Sequence, residues 1–220
     1  MAALSADAAT IAANLERVNA RIAAACARVD RDPATVSVCV ATKYVDAGTM
    51  PALRDAGVTI AAENRLQDMI AKQSQFGDDF EWHFIGAIQS RKVREIAQRA
   101  SRIHSLATES ARDRLVDLGE QPPAVMVQVN IAGEASKQGI APHDLGEFIA
   151  GCPVTVDGLM TMPPLSDSPE TARPHFRALS ELAARHGLSQ LSIGTTQDFE
   201  IAVEEGATFV RLGSVLFADN

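Results

Sequence analysis

The sequence predicts an α/β fold, a single (β/α)8 barrel of the TIM type. Three observations predict it: eight short apolar segments spread over 220 residues, amphipathic stretches between them, and short connections marked by Gly or Pro. Strands that alternate with helices imply parallel strands joined by right-handed crossovers. Eight such units can close into a barrel, although this length is at the lean end for one.

The predicted strands are short; the first is β-branched, as buried strands are, 124–129 gives the strongest signal and 102–106 a weak one. They cover residues 36–42, 59–62, 82–85, 102–106, 124–129, 154–159, 191–193 and 208–212. The predicted helices have apolar residues at intervals of three or four. The first carries a stripe from Ile11 to Val29 and ends near Pro33, and later helices are predicted at 65–75, 91–99, 109–118, from 142 onward, 168–186 and 198–204.

An open doubly wound sheet is the competing architecture. Its usual dinucleotide fingerprint, GxGxxG after the first strand, is absent from this sequence. There is also no internal repeat beyond the β/α rhythm and no low-complexity linker. We therefore expect one domain over residues 1–220.

Composition narrows the functional classes. A formal net charge of -8 argues against general affinity for nucleic acid or anionic membranes, which favour basic surfaces. No apolar run reaches the roughly 18 residues of a membrane helix, and the first thirty residues lack a signal peptide's pattern, so we expect a cytoplasmic protein. Three cysteines, Cys26, Cys39 and Cys152, show no metal-binding spacing. We expect them to be reduced, buried and inert, with no metal site.

Polar residues follow the predicted strands. In a parallel barrel all strand C-termini meet at one face, so these residues should converge on one mouth. They are Lys43, Glu63, Asn64, Gly86, Ser105, Asn130, Met160, Ser192, Gly194, Thr195, Thr196, Arg211, Gly213 and Ser214.

Lys43, which follows the first strand, has two interpretations. A lysine at a strand end often extends to water. A desolvated lysine amine, however, can attack an aldehyde and form an imine. Its position alone does not choose between them.

Residues 192–196 (Ser-Ile-Gly-Thr-Thr) have the composition of a phosphate-binding turn. Glycine allows the backbone to approach an anion, hydroxyls donate hydrogen bonds, and Asp198 could cap the following helix. Gly213 and Ser214 form a second small-residue turn, and barrel phosphates often lie between the loops after strands seven and eight. Two ordinary β-to-α turns are the alternative, but their adjacency favours phosphate binding.

His83 and His104, on predicted strands, are interpreted as hydrogen-bonded core histidines rather than ligands.

With these residues described, the sequence strongly resembles the pyridoxal phosphate (PLP) homeostasis protein family, built like the N-terminal barrel of alanine racemases. His-Phe-Ile-Gly followed by Gln and Lys, together with Ser-Lys-x-Gly, is a specific combination. The matching segments run through most of the chain: Ala41-Thr-Lys43, Ala62-Glu-Asn64, His83-Phe-Ile-Gly86, Gln89-Ser-Arg-Lys92, Val129-Asn-Ile131, Glu134-Ala-Ser-Lys-Gln-Gly139, Gly158-Leu-Met160, Ser192-Ile-Gly194 and Val210-Arg-Leu-Gly213.

The resemblance implies a PLP fold type III barrel that holds the cofactor as a Schiff base on Lys43. It implies that Asn64 lies beside the cofactor ring and that Arg211 faces the pyridine nitrogen. A permanent positive charge there discourages protonation of that nitrogen, which weakens the ring as an electron sink. Phosphate contacts would fall to Ser192, Gly194, Thr195, Gly213 and Ser214.

The resemblance also bears on catalysis. The chain ends at Asn220, without room for the second β-domain that carries the racemases' tyrosine base. The one tyrosine, Tyr44, is expected to point away from Lys43 if both keep strand geometry. We therefore expect no catalytic residues. Lys137 is interpreted as a solvated loop lysine rather than a second PLP site.

Some positions depart from the family pattern. Ala62 replaces the glycine usual before Glu-Asn, and Arg91 replaces an asparagine. Thr195-Thr-Gln197 replaces a turn containing Met-Ser but keeps hydroxyls, and the ending is Phe217-Ala-Asp-Asn220 instead of Phe-Gly-x-Arg. Arg91 and the altered ending bear on the outer mouth and any partner surface.

Three functions fit the sequence. The favoured one is a monomeric, non-catalytic PLP carrier that acts in PLP homeostasis, with PLP-dependent apoenzymes as possible recipients. The second is a PLP enzyme of low activity on amino acids, such as a racemase. The third is a cofactor-free lyase in which Lys43 forms an imine with a sugar phosphate.

Overall fold

Eight parallel strands close into a barrel in this computed structural model, which describes residues 5–119, 122–134, 138–164 and 166–218. Each strand pairs with its neighbour in sequence, and the last pairs with the first, Cys39 opposite Arg211. That closure confirms the predicted barrel and shows that the open sheet is wrong. The strands are β1 (Ser37–Ala41), β2 (Ile60–Glu63), β3 (Glu81–Phe84), β4 (Arg102–Leu106), β5 (Ala124–Gln128), β6 (Val156–Met160), β7 (Gln190–Ser192) and β8 (Phe209–Leu212).

The helices pack around the outside of the barrel. They are α1 (Ala8–Ala27), α2 (Met50–Asp55), α3 (Leu66–Phe76), α4 (Val93–Ala97), α5 (Glu109–Arg112), α6 (Leu145–Ala150), α7 (Arg173–Arg185) and α8 (Phe199–Glu204). The sequence did not predict α2. The helix predicted over 109–118 is a single turn, Glu109–Arg112, and the positive φ of Asp117 excludes helical backbone at that position.

Helix α1 occupies the place beside α8. After β8 the described chain makes only a 3-10 turn, Ser214–Leu216. The Asn14 amide of α1 donates hydrogen bonds to the carbonyls of Leu216 and Ala218. Arg21 also pairs with Glu200 of α8 at 2.6 Å. The first helix in sequence thus packs against the last one and completes the outer ring.

Alternation along the strands separates two cores. Side chains such as Val40, Phe84 and Val210 pack outward against the helices. The inward cluster of Cys39, Ile60, Ala62, Met126 and Phe209 fills the barrel. Because successive strand residues point to opposite faces, Arg211 shares the inward face of Phe209. Polar inward residues near the strand ends therefore reach the mouth.

The cysteines are free thiols. Cys26 and Cys39 are buried, as the sequence predicts, and Cys152 is half-buried. Among the described residues, every helix is too short or too polar to cross a bilayer.

Candidate functional site

A cavity of about 270 Å³ opens at the carboxyl end of the barrel, where the sequence analysis expects the site. Its volume is near the lower end of small-ligand sites, on the order of 300 Å³. Four predicted site residues line it together: Lys43, Asn64, Thr195 and Arg211. The remaining lining residues are Ala41, Ile85, Gly86, Ala87, Gln128, Gln138, Met160 and Met162.

Lys43 lies at the mouth of this cavity and is exposed to solvent. Its Nζ is 4.7 Å from the centre of the Tyr44 ring. The expectation that Tyr44 points away from Lys43 is therefore wrong. It assumed strand geometry, but β1 ends at Ala41, and the chain turns through a hydrogen bond of 2.9 Å from the Val45 N–H to the Thr42 carbonyl.

A buried ion pair lies next to Lys43 in the fold. The Lys72 ammonium is 2.5 Å from Oε1 of Glu63 and 2.6 Å from the carbonyl oxygen of Thr42. The Thr42 hydroxyl donates to the same carboxylate oxygen at 2.5 Å. Lys72 carries no local signal of this role, since a lysine on an amphipathic helix is ordinarily exposed.

Asn64 presents a buried side-chain oxygen, Oδ1, that has no hydrogen-bond partner among the described residues. Buried polar atoms are nearly always paired, so this one points to a group that completes the site. The backbone around it is tightly held. A Cβ at Gly86 would lie 2.0 Å from the Asn64 carbonyl oxygen, so only glycine fits there.

Arg211 is almost fully buried, and its guanidinium lines the cavity. Nη1 donates to the Ser192 hydroxyl at 2.6 Å, and Nη2 donates to the Thr161 carbonyl at 3.0 Å. Burial lowers the pKa of Arg211 to about 10, which still leaves the side chain charged at neutral pH. It therefore places a fixed positive charge in the cavity wall.

Ser192 begins a hydrogen-bonded chain through the barrel. Its Oγ lies 2.7 Å from Nδ1 of His104, and Nε2 of His104 lies 2.9 Å from Nδ1 of His83. Nε2 of His83 lies 2.9 Å from the carboxylate of Glu81, at the opposite end of the barrel. Both histidines are fully buried, which confirms their interpretation as hydrogen-bonded core residues.

The donors in this chain have one consistent direction. Arginine only donates, so the Ser192 hydroxyl accepts from Arg211. At the other end the Glu81 carboxylate only accepts, so His83 donates to it from Nε2. A neutral His83 then accepts at Nδ1 from Nε2–H of His104, and a neutral His104 accepts at Nδ1 from the Ser192 hydroxyl. Burial lowers the pKa of both histidines, that of His104 well below its ordinary value, which keeps them neutral.

Cys39 joins this interior cluster. Its Sγ is 3.5 Å from Nδ1 of His83, and the ligand atoms of Cys39, His83 and His104 all lie within 4.8 Å of one another. No local spacing motif could indicate this cluster, because barrel closure brings the three residues together. The hydrogen bonds described above already use the nitrogen atoms that would bind a metal ion.

The loop after β7 is built around Gly194 and Asp198. Gly194 has a φ of +91°, and a Cβ there would lie 2.6 Å from the Ala202 Cβ. The sequence suggested that Asp198 caps α8; it occupies the N-cap position, but its side chain makes no hydrogen bond to the start of the helix. Its carboxylate turns back and accepts from the Thr195 N–H at 2.6 Å and from the Thr195 hydroxyl at 2.9 Å. The Asp198 carboxylate thus stabilises the loop after β7 rather than the first turn of α8.

The loops after β7 and β8 adjoin each other. The backbone N–H of Arg211 donates a hydrogen bond to the Gly194 carbonyl at 3.0 Å. Gly213 lies beside the end of β1, where an added Cβ would be 3.6 Å from the Ala41 carbonyl oxygen. Packing alone therefore does not require glycine at 213, and space remains for a ligand to approach.

Other predicted residues lie elsewhere. Ser192 is fully buried with its hydroxyl engaged, and Ser214 is exposed; neither is among the cavity-lining residues of the described chain. Arg91 is exposed in a 3-10 turn and contacts Gln89. Lys137, Asp219 and Asn220 lie outside the described residues.

Comparisons with known proteins agree with this architecture. Residues 7–220 match the family model described as alanine racemase, N-terminal domain, so the fold and the cavity define an alanine racemase-like barrel. A relative from Pseudomonas aeruginosa is 40% identical, covering 94% of this chain and 95% of the relative. One from Aquifex aeolicus is 36% identical, covering 93% and 96%. Both are named pyridoxal phosphate homeostasis protein, and this chain belongs to that family.

A solved structure supports the same assignment. PipY of Synechococcus elongatus PCC7942, described as having PLP bound, superposes with a TM-score of 0.77 at 27% identity. The match covers 94% of this chain and all (100%) of PipY.

Proposed function

We propose that this protein binds PLP as a Schiff base on Lys43 and acts in intracellular PLP homeostasis without substantial catalysis. One observation carries the proposal: a single cavity brings together an amine, an amide, a guanidinium and the loop after β7, through Lys43, Asn64, Arg211 and Thr195. PLP offers an aldehyde, a ring hydroxyl, a ring nitrogen and a phosphate. Each has a chemically matched partner in that set.

The described residues fit the cofactor. Lys43 Nζ, in its neutral form, can bond to the aldehyde carbon, while the aldehyde oxygen leaves as water. The unpaired Oδ1 of Asn64 can accept a hydrogen bond from the ring hydroxyl. Thr195, Gly194, Gly213 and Ser214 would meet the phosphate from two adjoining loops. A phosphate role for Ser192 would rest on its main chain, since its hydroxyl is engaged.

Arg211 supports holding the cofactor rather than using it. When bound, PLP supplies a ring that withdraws electrons best with its nitrogen protonated. The Arg211 guanidinium is fixed by Ser192 and Thr161 and stays charged, so it opposes that protonation. The site thus favours retention and release of PLP over carbanion chemistry.

One observation favours a second candidate, a PLP-dependent amino-acid racemase or related enzyme of low activity. Tyr44 is in contact with Lys43 rather than directed away from it. A phenol beside the imine-forming amine can act as an acid or base. Measuring racemisation or transamination with single L-amino acids tests this; turnover on the order of 1 per second or more would favour the enzyme.

The proposal has further parts. We expect the chain to act as one domain and as a cytoplasmic monomer, and PLP-dependent apoenzymes to be its recipients. The closed barrel supports the first part. Size-exclusion chromatography with light scattering tests the oligomeric state.

Absorbance and mass spectrometry test the Schiff base. On mixing with PLP, wild-type protein should develop an absorbance band at about 420 nm, as expected for a protonated PLP imine. Borohydride reduction should then fix one PLP mass on the peptide containing Lys43. Lys43→Ala should lose both signals, whereas Lys92→Ala, which removes a lysine outside the cavity, should keep both. Wild-type protein without the band, or with the mass on another lysine, would contradict the proposal.

A further inference from the structure

A buried polar cluster next to Lys43 has no part in the binding scheme above. It consists of Thr42, Glu63 and Lys72, and we call it the clamp. Thr42 and Glu63 are fully buried and Lys72 is 6% exposed. Lys72 Nζ is 2.5 Å from Glu63 Oε1, which also accepts a hydrogen bond of 2.5 Å from the Thr42 hydroxyl. All three side chains are thus joined at one carboxylate oxygen.

The clamp holds the peptide group that leads into Lys43. Lys72 Nζ also lies 2.6 Å from the Thr42 carbonyl, which belongs to the peptide unit between Thr42 and Lys43. β1 ends at Ala41, and the Thr42 N–H makes a further bond of 3.0 Å to the Ala62 carbonyl. Lys43 therefore lies beyond the strand, and its backbone is positioned through Thr42.

The same cluster holds a second cavity residue. Glu63 is the last residue of β2 and directly precedes Asn64, which lines the cavity. Lys72 lies on α3, so the ion pair ties that helix to the ends of both β1 and β2. The Asn64 backbone is also held by close packing on Gly86, so a shift of the clamp would move Lys43 relative to a fixed Asn64.

Stability alone does not account for this arrangement. A buried ion pair gives little net stabilisation, because desolvation of the two charges offsets their attraction. Oε2 of Glu63 has no hydrogen-bond partner among the described residues, which adds to that cost. Short charged hydrogen bonds do, however, fix atoms in place. Position is therefore the property that the clamp supplies.

The two lysines near this end of β1 have different surroundings. Lys72 is buried, and its ammonium is bonded to Glu63 and Thr42. Lys43 is exposed and lines the cavity. Lys72 thus acts on the site through the backbone and does not compete for the aldehyde.

We propose that Thr42, Glu63 and Lys72 are positioning residues for Schiff-base formation by Lys43. They hold the Lys43 backbone so that its amine meets the aldehyde carbon of PLP; loss of water then leaves the C=N bond. This inference rests on the proposed function. It predicts that disrupting the clamp weakens the covalent link while leaving non-covalent recognition of the phosphate and ring intact.

The test compares PLP with pyridoxine 5′-phosphate, which has an alcohol in place of the aldehyde and cannot form an imine. The double variant Lys72→Met/Glu63→Gln removes both charges at similar volume and avoids an unpaired buried ion. In this variant we expect PLP affinity and the borohydride-trapped fraction on Lys43 to fall by at least about tenfold, as displacement of a reacting group commonly causes. Affinity for pyridoxine 5′-phosphate should remain that of wild type.

A second variant and a control accompany it. Thr42→Val removes the hydroxyl, which contacts Glu63 at 2.5 Å and the Ala62 carbonyl at 3.3 Å, and should lower the trapped fraction with the same ligand selectivity. Arg102→Met/Asp157→Asn removes an ion pair of 2.6 Å at the opposite end of the barrel. It should change the affinity for neither PLP nor pyridoxine 5′-phosphate. Circular dichroism and thermal unfolding establish that each variant is folded. If the double variant does not fold, the result for Thr42→Val tests the positioning role.

The outcomes are distinct. Folded clamp variants with an unchanged trapped fraction, or an equal loss of affinity for both ligands, would overturn the positioning role and leave the proposed function standing. Wild-type protein that forms no imine on Lys43 would overturn both. Selective loss of PLP affinity in the clamp variants supports the proposal.

Discussion

The Nη1 atom of Arg211 lies 2.6 Å from the hydroxyl oxygen of Ser192, so this hydroxyl accepts a hydrogen bond from the cavity wall. Because the Glu81 carboxylate can only accept and both histidines are neutral, the Ser192 proton is directed to His104. The cavity wall is thereby connected through neutral histidines to Glu81 at the far end of the barrel. The hydroxyl of Ser192, a residue that the sequence assigns to phosphate binding, is engaged by Arg211 and His104.

Ser192→Ala should therefore act mainly on stability. The change leaves Nδ1 of buried His104 without its partner, which costs roughly 1–3 kcal/mol of unfolding free energy. Urea denaturation measures this loss, and Ser214→Ala is the matched comparison. Because Ser214 is exposed, its removal should alter stability by no more than about 0.5 kcal/mol and lower pyridoxine 5′-phosphate affinity instead. The reverse pattern would show that the Ser192 hydroxyl serves the phosphate.

Gly194→Ala should be more costly than an ordinary glycine substitution. Its φ of +91° is unfavourable for alanine, and the added Cβ would lie 2.6 Å from Ala202 Cβ and 3.0 Å from Phe199 Cα. Gly57→Ala is the control, because Gly57 has a φ of +85° but nothing within 4 Å of the added atom. We expect Gly57→Ala to cost about 1 kcal/mol, and Gly194→Ala about 1–3 kcal/mol more.

Urea denaturation of the two glycine variants gives the difference directly. Gly194→Ala should also weaken PLP binding, since helix α8 must shift to admit the methyl group. Equal stability losses at both positions would mean that the loop after β7 yields easily. It would then be a poor rigid cradle for phosphate.

The strands and the mouth residues were predictable because their physical signals are local. Short strand-like segments between helical patterns identified all eight strands, and the shared direction of parallel strands placed Lys43, Asn64 and Arg211 at one face. Helix α2 was missed because its six residues bury only Met50 and Leu53, too few for a periodic stripe. Its proline lies in the first turn, where a helix tolerates it.

The supporting contacts were not predictable because they depend on long-range geometry. Lys72 meets Glu63 only when α3 packs beside β2, and Cys39 meets His83 only across the barrel interior. The predicted orientation of Tyr44 was wrong for a different reason. The strand ends before Lys43, so successive side chains no longer alternate between the two faces there. Strand-end positions can thus be read from sequence, whereas the groups that hold them cannot.

The thiols should be nearly inert in the native protein. Burial raises the pKa of Cys39 to about 12 and also raises the pKa values of Cys26 and Cys152, so all three stay protonated near neutral pH. With a thiol-specific reagent at about pH 8, we expect slow labelling of half-buried Cys152 alone, and labelling of all three after denaturation. Peptide mass mapping checks this, and rapid native labelling of Cys39 would contradict the closed interior.

Acid sensitivity should come in part from the ion pairs between α7 and α8. Arg173 contacts Glu204 at 2.7 Å and Glu205 at 2.9 Å, and these carboxylate side chains are only 11% and 9% exposed. Burial alone would raise their pKa values, but hydrogen bonds from Arg173, Arg28 and Arg177 outweigh it and hold both pKa values below the ordinary range. The folded protein therefore binds these protons more weakly than the unfolded chain does.

This difference in proton binding makes the unfolding free energy fall as the pH is lowered. Each depressed carboxyl contributes stability that is fully present above its unfolded pKa, roughly 4.3, and is lost as pH falls through the lower folded value. Arg173→Ala should lower unfolding free energy by about 1–3 kcal/mol at neutral pH, and stability should then fall less steeply below pH 4 or so. Arg54→Ala is the control. Its pairs with Asp55 and Asp79 are exposed to solvent, so its loss should lower the unfolding free energy much less than the loss of Arg173 does. Urea denaturation at several pH values measures both variants, and equal losses would show that the α7–α8 pairs behave as ordinary surface contacts.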